Sequence, residues 1–338
     1  MQQARQATIK MKIESKDVTR VVNQFLKSFS YEEAVSNEAD TAQVTLQDIK
    51  EMWVGDWFPD KGASAEISIV TTNWWRSGTE SVNLGKFEID EIENTFPPAE
   101  AKIKFNSIPN NAEIRGVNRS RSWEKCQLSK IAKDVADGAG MELFYDTEED
   151  PLIARAEQSE QSDLKFLSKL CTDAGLALKV TDKKICIFDF EKYESQSAIV
   201  TFVKGESRIK SFSAKSKLNQ VYKSCTVTYK KGKTKETIEG SYSDTNKNDG
   251  ATLKINKKVE SKEEADRLAK KSLREKNKKE NTVTLTLMGD LRLSAGLTVE
   301  LKKFHKWNGK YLIDKCKHNI GSSGFVTTLE LSKCLEGY

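Results

Sequence analysis

The sequence is poor in the residues that most side-chain chemistry needs. Two histidines, His305 and His318, occur in 338 residues. Neither lies in a motif that pairs it with a serine, a cysteine or a carboxylate, and His318 closes an alternating stretch, reading as a packed or surface strand residue. H-E-x-x-H, a Walker loop and G-x-G-x-x-G are all missing, which removes the common zinc, nucleotide and dinucleotide signatures. The six cysteines (Cys126, Cys171, Cys186, Cys225, Cys316 and Cys334) are scattered without a C-x-x-C pair. They read as reduced core thiols of a protein made in the cytosol, not as a disulfide framework or zinc site. No apolar run approaches the roughly 18 residues of a membrane span, and MQQARQATIKMKI at the start lacks the apolar centre of a secretion signal. With 50 acidic residues in the chain, the acidic run Glu148-Glu149-Asp150 reads as a solvated loop before a glycosidase pair. No catalytic residue, cofactor, metal or membrane span is therefore expected.

What is present organises around residues 162–190, SDLKFLSKLCTDAGLALKVTDKKICIFDF. Ser162 is placed to cap a helix, Asp163 suits the positive end of its dipole, and Gly175 is a natural stop. Leu164, Leu167, Leu170, Cys171 and Ala174 recur at helical spacing. The period then falls to two through Leu176, Leu178 and Val180, and an apolar run resumes over 185–188, predicting a hairpin. Residues 127–136 predict a further helix, with Leu128, Ile131, Ala132 and Val135 on one face and Gly138 and Gly140 beyond it, followed by a short strand over 141–145.

Both flanks of this mixed part read as β. Residues 7–13, 42–46, 65–70, 82–90 and 101–105 predict short strands, and 18–31 a bent strand or a turn plus a strand. Pro97-Pro98 and Pro109-Asn110-Asn111 punctuate the end of that region. Later, 223–230 and 236–242 predict a hairpin around Lys231-Gly232-Lys233. Residues 261–278 predict a Lys-rich helix, with Ser261 and Glu264 as a capping box and Ala265, Leu268, Ala269 and Leu273 as its apolar stripe. Strands follow over 282–287, 298–301, 311–318 and 324–331. The expected architecture is mainly β with an α+β insert. Two small β-barrel domains, 1–111 and 198–338, flank a mixed α/β domain over 112–197, and the second barrel carries an excursion over about 223–280.

Charge is uneven along this plan. Residues 201–338 hold 30 Lys and Arg against 16 Asp and Glu, whereas 1–110 hold 12 against 17. Such a surplus suits a solvated face or an acidic protein partner, and after those a nucleic acid. Trp53 and Trp57, four apart before Pro59, read as core or subunit-interface packing. Trp74-Trp75-Arg76 forms an aromatic loop in which two adjacent tryptophans, if extended, cannot both face one core. Three arrangements stay open: one ring in the barrel and one at an interface, both rings under the loop, or a sugar-binding platform. These five residues are the candidate interface.

The order of motifs resembles a known family. YEEAVSNEADTAQVTL at 31–46, Trp57-Phe58-Pro59-Asp60-Lys61-Gly62, and Leu84-Gly85-Lys86-Phe87-Glu88-Ile89-Asp90 look like the first barrel of the late control protein D family. Those are baseplate or tail-hub proteins of contractile phages and phage-like bacteriocins. Similarity continues through Ser122-Trp123, through 161–167 (QSDLKFL) to Gly175, and through 288–299 (MGDLRLSAGLTV). It ends with 309–313 (GKYLI) and 324–331 (GFVTTLEL). Each motif is weak alone; the order gives them weight.

The resemblance implies a structural, non-enzymatic homotrimer, made in the bacterial cytoplasm and assembled into a phage tail or tail-like particle. Six barrels in a ring would match the hexameric tail tube protein on one face. The threefold face would hold a central spike protein, with other baseplate proteins and a tape-measure protein as further partners. The spike would be a separate polypeptide. Opposite charges of an acidic first barrel and the basic final third would meet between neighbouring subunits. A cell-wall-degrading component and a nucleic-acid-binding component of the same particle are the alternatives; the latter would bind with steep salt dependence.

Overall fold

The computed structural model describes residues 4–108, 113–181, 183–230, 236–335 and 338. The first β half consists of β1 (Gln6–Ile13), β2 (Lys16–Asp17), helix α1 (Thr19–Phe25), β3 (Leu26–Ala34), β4 (Thr41–Gln47), β5 (Ser64–Thr72), β6 (Thr79–Thr95) and β7 (Glu100–Asn106). Alternation works here as the sequence requires. Ile9 of β1 stands opposite Ile69 of β5, and Met11 opposite Ile67, all in the core, because a strand with one dry face buries every second residue.

Residues 18–31 are a correction to the extended reading, since most of the first half of that stretch is helical. Val21, Val22 and Phe25 favour a strand by propensity, but propensity yields to tertiary context. The Asn23 side chain accepts from the Ile9 N–H at 3.2 Å and donates to the Ile9 carbonyl at 2.7 Å. Thr19 Oγ1 accepts from the Met11 N–H at 3.0 Å. The helix thus gives the edge of β1 the partners a further strand would give, while burying Val22 in the first core.

The middle region comprises α2 (Glu113–Gly116), β8 (Asn118–Gln127), α3 (Leu128–Gly138), β9 (Glu142–Asp146), β10 (Leu152–Ser162), α4 (Asp163–Ala174), β11 (Ala177–Val180), β12 (Lys184–Phe188) and α5 (Phe190–Ser195). The anchor stretch folds as its residues dictate. The Ser162 hydroxyl accepts from Lys165 N–H, and Gly175 stops α4 in the left-handed region at φ 69°. The expected hairpin forms as β11–β12, with β9 added parallel to β12. The β8–β10 ribbon is new, because both strands carry mostly polar, exposed residues with little alternation to betray them.

The last region adds β13 (Val200–Val203), β14 (Ile209–Ser216), β15 (Tyr222–Lys230), β16 (Thr237–Ser243), β17 (Ala251–Asn256), α6 (Lys262–Asn277), β18 (Asn281–Met288), β19 (Thr298–Lys302), a 3-10 turn at His305–Trp307, β20 (Gly309–Gly321) and β21 (Gly324–Lys333). Ser261 caps α6 by accepting from Glu264 N–H at 3.2 Å, and Ala265, Ala269 and Leu273 pack onto the β15–β17 sheet. Gly240 of β16 touches that helix closely, and a Cβ there would meet Asp266 N at 2.4 Å.

The two β halves are not separate closed barrels. β20 pairs antiparallel with β3, His318 opposite Tyr31 and Ile320 opposite Phe29, so one 13-stranded sheet runs through both. Its order is β14-β18-β21-β20-β3-β4-β7-β6-β5-β1-β2, with β19 attached to β20 and β13 to β19. Ile320 and Phe325 of the last region enter the core of the first half, while Phe202, Leu285, Val299, Tyr311 and Leu329 build a second core. Among the described residues no pairing closes either half into a barrel. The proposed boundary at 111, Pro109-Asn110-Asn111 and Lys231-Gly232-Lys233 fall outside the described residues.

Candidate functional site

His318 and most of the cysteines lie where burial suppresses their chemistry. His318 is buried and fully engaged: one ring nitrogen meets Thr327 Oγ1 at 3.0 Å, and the other lies 3.3 Å from the Leu293 carbonyl and 3.5 Å from Cys316 Sγ. Burial lowers its pKa to about 4, only partly offset by Leu293 and Asp290. Burial also pushes the Cys316 thiol up, along with Cys171 and Cys334 to about 12 and Cys225 to about 11. A neutral imidazole beside a protonated thiol is packing, not a catalytic pair. His305 stands exposed on the 3-10 turn, apart from these groups. Among the described residues no cluster of three His, Cys, Asp or Glu side chains could hold a metal ion.

The candidate interface tryptophans separate into two places. Trp74 and Trp75 converge on one acceptor: both indole N–H groups donate to the Gly289 carbonyl, at 2.7 and 2.9 Å. Two neighbours reach one point because the loop is not extended; Asn73 sits at φ 50° and its side chain accepts from Gly78 N–H. Trp74 packs on Phe325 with ring centres 5.5 Å apart. Trp75 lies under the guanidinium groups of Arg208 and Arg292, 5.2 and 5.9 Å from its ring centre. Arg76 turns away to Glu80 at 2.5 Å. Trp53 and Trp57 sit in another loop, edge to face at 5.8 Å, with Trp53 buried and Trp57 43% exposed. Ile49, Val54 and Phe58 stand exposed beside them in sequence.

Gly289 and its surroundings were not among the residues singled out as a site, although the turn Gly289-Asp290 was legible. Its role is to let two chain segments touch. A Cβ on Gly289 would lie 2.2 Å from the Phe325 ring, so only glycine fits under the rings. The clasp ties the β5–β6 turn of the first half to the end of β18 in the second.

Several cations of the basic segment 254–279 find partners inside the chain. Lys271 meets Glu149 at 2.5 Å, Arg274 meets Glu194 at 2.7 Å, Lys278 meets Asp314 at 3.2 Å and Lys257 meets Asp173 at 2.7 Å. Three of those four acids belong to the middle region. Burial raises the Glu194 carboxyl above its ordinary range, with Arg274 and Lys278 pulling the other way. The helix also fits sterically, because a Cβ at Gly175 would collide with Lys271 Cδ at 2.3 Å. For these four cations, the surplus expected to face a neighbouring subunit is met at home. A third contact pins the middle region to the first half: Lys179 is bonded to buried Asp40 and to the Ala34 carbonyl.

Comparison with known proteins follows this geometry closely. The fold matches that of a 43 kDa tail protein of a Shewanella oneidensis prophage, with a TM-score of 0.76, 13% identity and coverage of 97% of this chain and 98% of that one. A tail protein of Neisseria meningitidis matches with a TM-score of 0.74, 12% identity and 97% coverage of both chains. At such identities the likeness is one of fold. In sequence, residues 179–332 match the YQBQ-like family model. A probable baseplate hub protein of Escherichia phage 186 is 26% identical over 179 residues, 51% of this chain and 42% of that protein. The sequence match is to a probable baseplate hub protein, and the fold matches are to proteins described as phage tail proteins. An E. coli component of the type VI secretion system, described as structurally similar to T4 tail proteins, shares the fold at a TM-score of 0.59 and 12% identity, over 97% of this chain and 78% of that one. The resemblance to baseplate hub proteins read from the sequence is met by a sequence relative described as a probable baseplate hub protein, and tail proteins share the fold. The chain aligns with less than half the length of the curated hub protein, and the structural matches are named for tails and secretion machinery, not for enzymes. No described helix is long and apolar enough to cross a membrane.

Proposed function

We propose that this chain is a structural hub subunit of a contractile tail or tail-like particle, working as a homotrimer that joins the hexameric tail tube protein to a trimeric central spike protein. The observation that carries this reading is the β3–β20 pairing, which fuses two β halves edge to edge in one sheet. Three copies would present six β halves, each an open barrel, in a ring that suits a sixfold tube on one face and a threefold spike on the other. The domain plan is 1–111, 112–197 and 198–338, with the middle region and α6 as one ionic block outside the sheet. Other baseplate proteins and a tape-measure protein are further partners, met after synthesis in the bacterial cytoplasm. The exposed loop with Ile49, Val54, Trp57 and Phe58 is apolar enough to be covered in such an assembly.

The test is sedimentation velocity on the purified chain, alone and with its spike protein. A trimer under at least one condition is expected; a monodisperse monomer under both would sink the reading.

A further inference from the structure

The two β halves treat their open seams differently. In the first half, β1 and β3 are not paired, and α1 lies against β1 with Thr19 and Asn23 bonded to its backbone. In the second half the order is β13-β19-β20-β21-β18-β14, and among the described residues no pairing joins β13 to β14. β14 bonds to β18 along one edge over Ile209–Ser216, and no described strand or helix supplies partners to its other edge. Beside the start of that strand lies a groove of about 870 Å³ whose walls include Lys204, Lys210, Phe212, Phe304, Lys306 and Trp307. Phe212 stacks on Phe304 at 4.7 Å. Phe212, Ile209 and Trp307 pack on the second core yet stay only partly covered.

A bare strand edge is a template for another strand, and proteins that do not use one hide it. Here one seam is hidden and the other is left open over incompletely covered core residues. We propose that the free edge of β14, with the groove beside it, takes up an extended acidic peptide segment of another protein by strand addition. Residues 204–217 carry Lys204, Arg208, Lys210, Lys215 and Lys217 against one acid, Glu206, which is already paired with Lys303. Lys306 adds a further cation at the opposite wall. The backbone of the incoming segment bonds to β14, its alternate apolar residues lie over Phe212 and Trp307, and its carboxylates meet the lysines. A single-stranded nucleic acid would suit the charge and the rings but leave the strand edge unmet.

Fluorescence anisotropy on the purified chain tests this with a labelled peptide of about six residues alternating valine and glutamate. Expected are binding that weakens with salt, new hydrogen-exchange protection confined to the amides of 210–216, and no binding by the same peptide with lysine for glutamate or with alternate backbone N-methyl groups. The double variant Lys210→Glu, Lys306→Glu, both at exposed positions, should weaken binding about tenfold while leaving the melting curve unchanged. Failure of the glutamate peptide to bind would overturn the proposal. So would equal binding by the N-methylated peptide, or binding of oligothymidylate in its place. The assay uses the chain alone, so its outcome is independent of whether three copies assemble with a spike.

Discussion

Two of the joints in this molecule differ in what chiefly holds them. Between the β halves the joint is a backbone ladder at β3–β20, reinforced by two indole N–H groups on one carbonyl and by His318 stacked on Tyr31 at 6.3 Å. Between the basic segment that holds α6 and the middle region the joint is ionic, made by Lys271 and Arg274 of α6 and Lys257 ahead of it on Glu149, Glu194 and Asp173. The ladder carries part-exposed ion pairs of Lys315 and Lys317 with Glu32 and Glu38 along its rim, but its buried centre depends on close fit. The ionic joint depends on every buried charge keeping its partner. Removing one member of each should therefore fail in different ways.

The largest effect is expected at Arg274. Its side chain is 9% exposed and its partner Glu194 is 5% exposed, so Arg274→Ala leaves a buried carboxylate with only the Leu335 N–H and the nearby Lys278 charge, at a cost toward the lower end of about 3–5 kcal/mol. The sign with pH follows from Glu194, whose folded pKa is already raised, chiefly by burial. A raised acid favours the fold below its unfolded pKa of 4.5, and that contribution is lost as pH rises through the folded value. Without Arg274 the folded value climbs further, so the deficit in urea midpoint should be full at pH 7 and shrink toward pH 5. A deficit equal at both pH values would mean that the pair acts through packing alone.

The next effect sharpens the contrast at the clasp. Trp74→Ala removes a ring packed on Phe325 and one of the two donors to Gly289, costing about 3 kcal/mol. Trp75 is 41% exposed, so Trp75→Ala should cost about 1 kcal/mol. Unlike the Arg274 deficit, neither loss should vary with pH between 5 and 7, as urea midpoints at the two values would show.

How much of this was legible depends on where each signal lies. Ser162, Gly175 and the capping pair Ser261–Glu264 act within a few residues of themselves, and the structure places all of them as the sequence indicates. In 18–31, read as a bent strand or a turn plus a strand, the strand part holds from Leu26, whereas the helix of 19–25 was hidden because Asn23 and Thr19 pair with Ile9 and Met11, contacts that no local pattern encodes. Trp74 and Trp75 stood out, but their acceptor is more than two hundred residues away. The partners of the Lys-rich helix were equally distant: Arg274 is separated from Glu194 by eighty positions. The charge surplus of the last region was visible; that some of its cations pair inside the chain, three of them with acids of the middle region and not with the acidic first half, was not.

A smaller effect comes from His318, within the ladder joint. Thr327, the Leu293 carbonyl and Cys316 contact its ring, Tyr31 stacks on it from β3, and Asp290 is the nearby charge. Its folded pKa is lowered to about 4. A lowered base favours the fold above the unfolded pKa of about 6.5, and that stability is lost as pH falls toward 4. The loss should reach about 2–3 kcal/mol across that window, read from urea midpoints. In His318→Gln the slope over pH 6.5–4 should flatten; an unchanged slope would assign the acid sensitivity to the carboxylates instead.

The smallest effect tests the edge of the ionic joint. Lys257 and Asp173 pair at 2.7 Å, but their side chains are 37% and 41% exposed. Water screens such a pair, so Lys257→Glu should cost about 0–1 kcal/mol at low salt, and less once the Debye length falls to roughly 8 Å near physiological ionic strength. Reversing Lys271 or Arg274 is a different experiment, because both side chains are 9% exposed and salt does not reach them. Stability measured at two ionic strengths should therefore divide the basic segment into a screened rim at Lys257 and an unscreened centre at Lys271 and Arg274. If all three reversals respond equally to salt, the joint is a surface contact throughout, and α6 is free to leave the middle region of its own chain and meet a neighbour's acids instead.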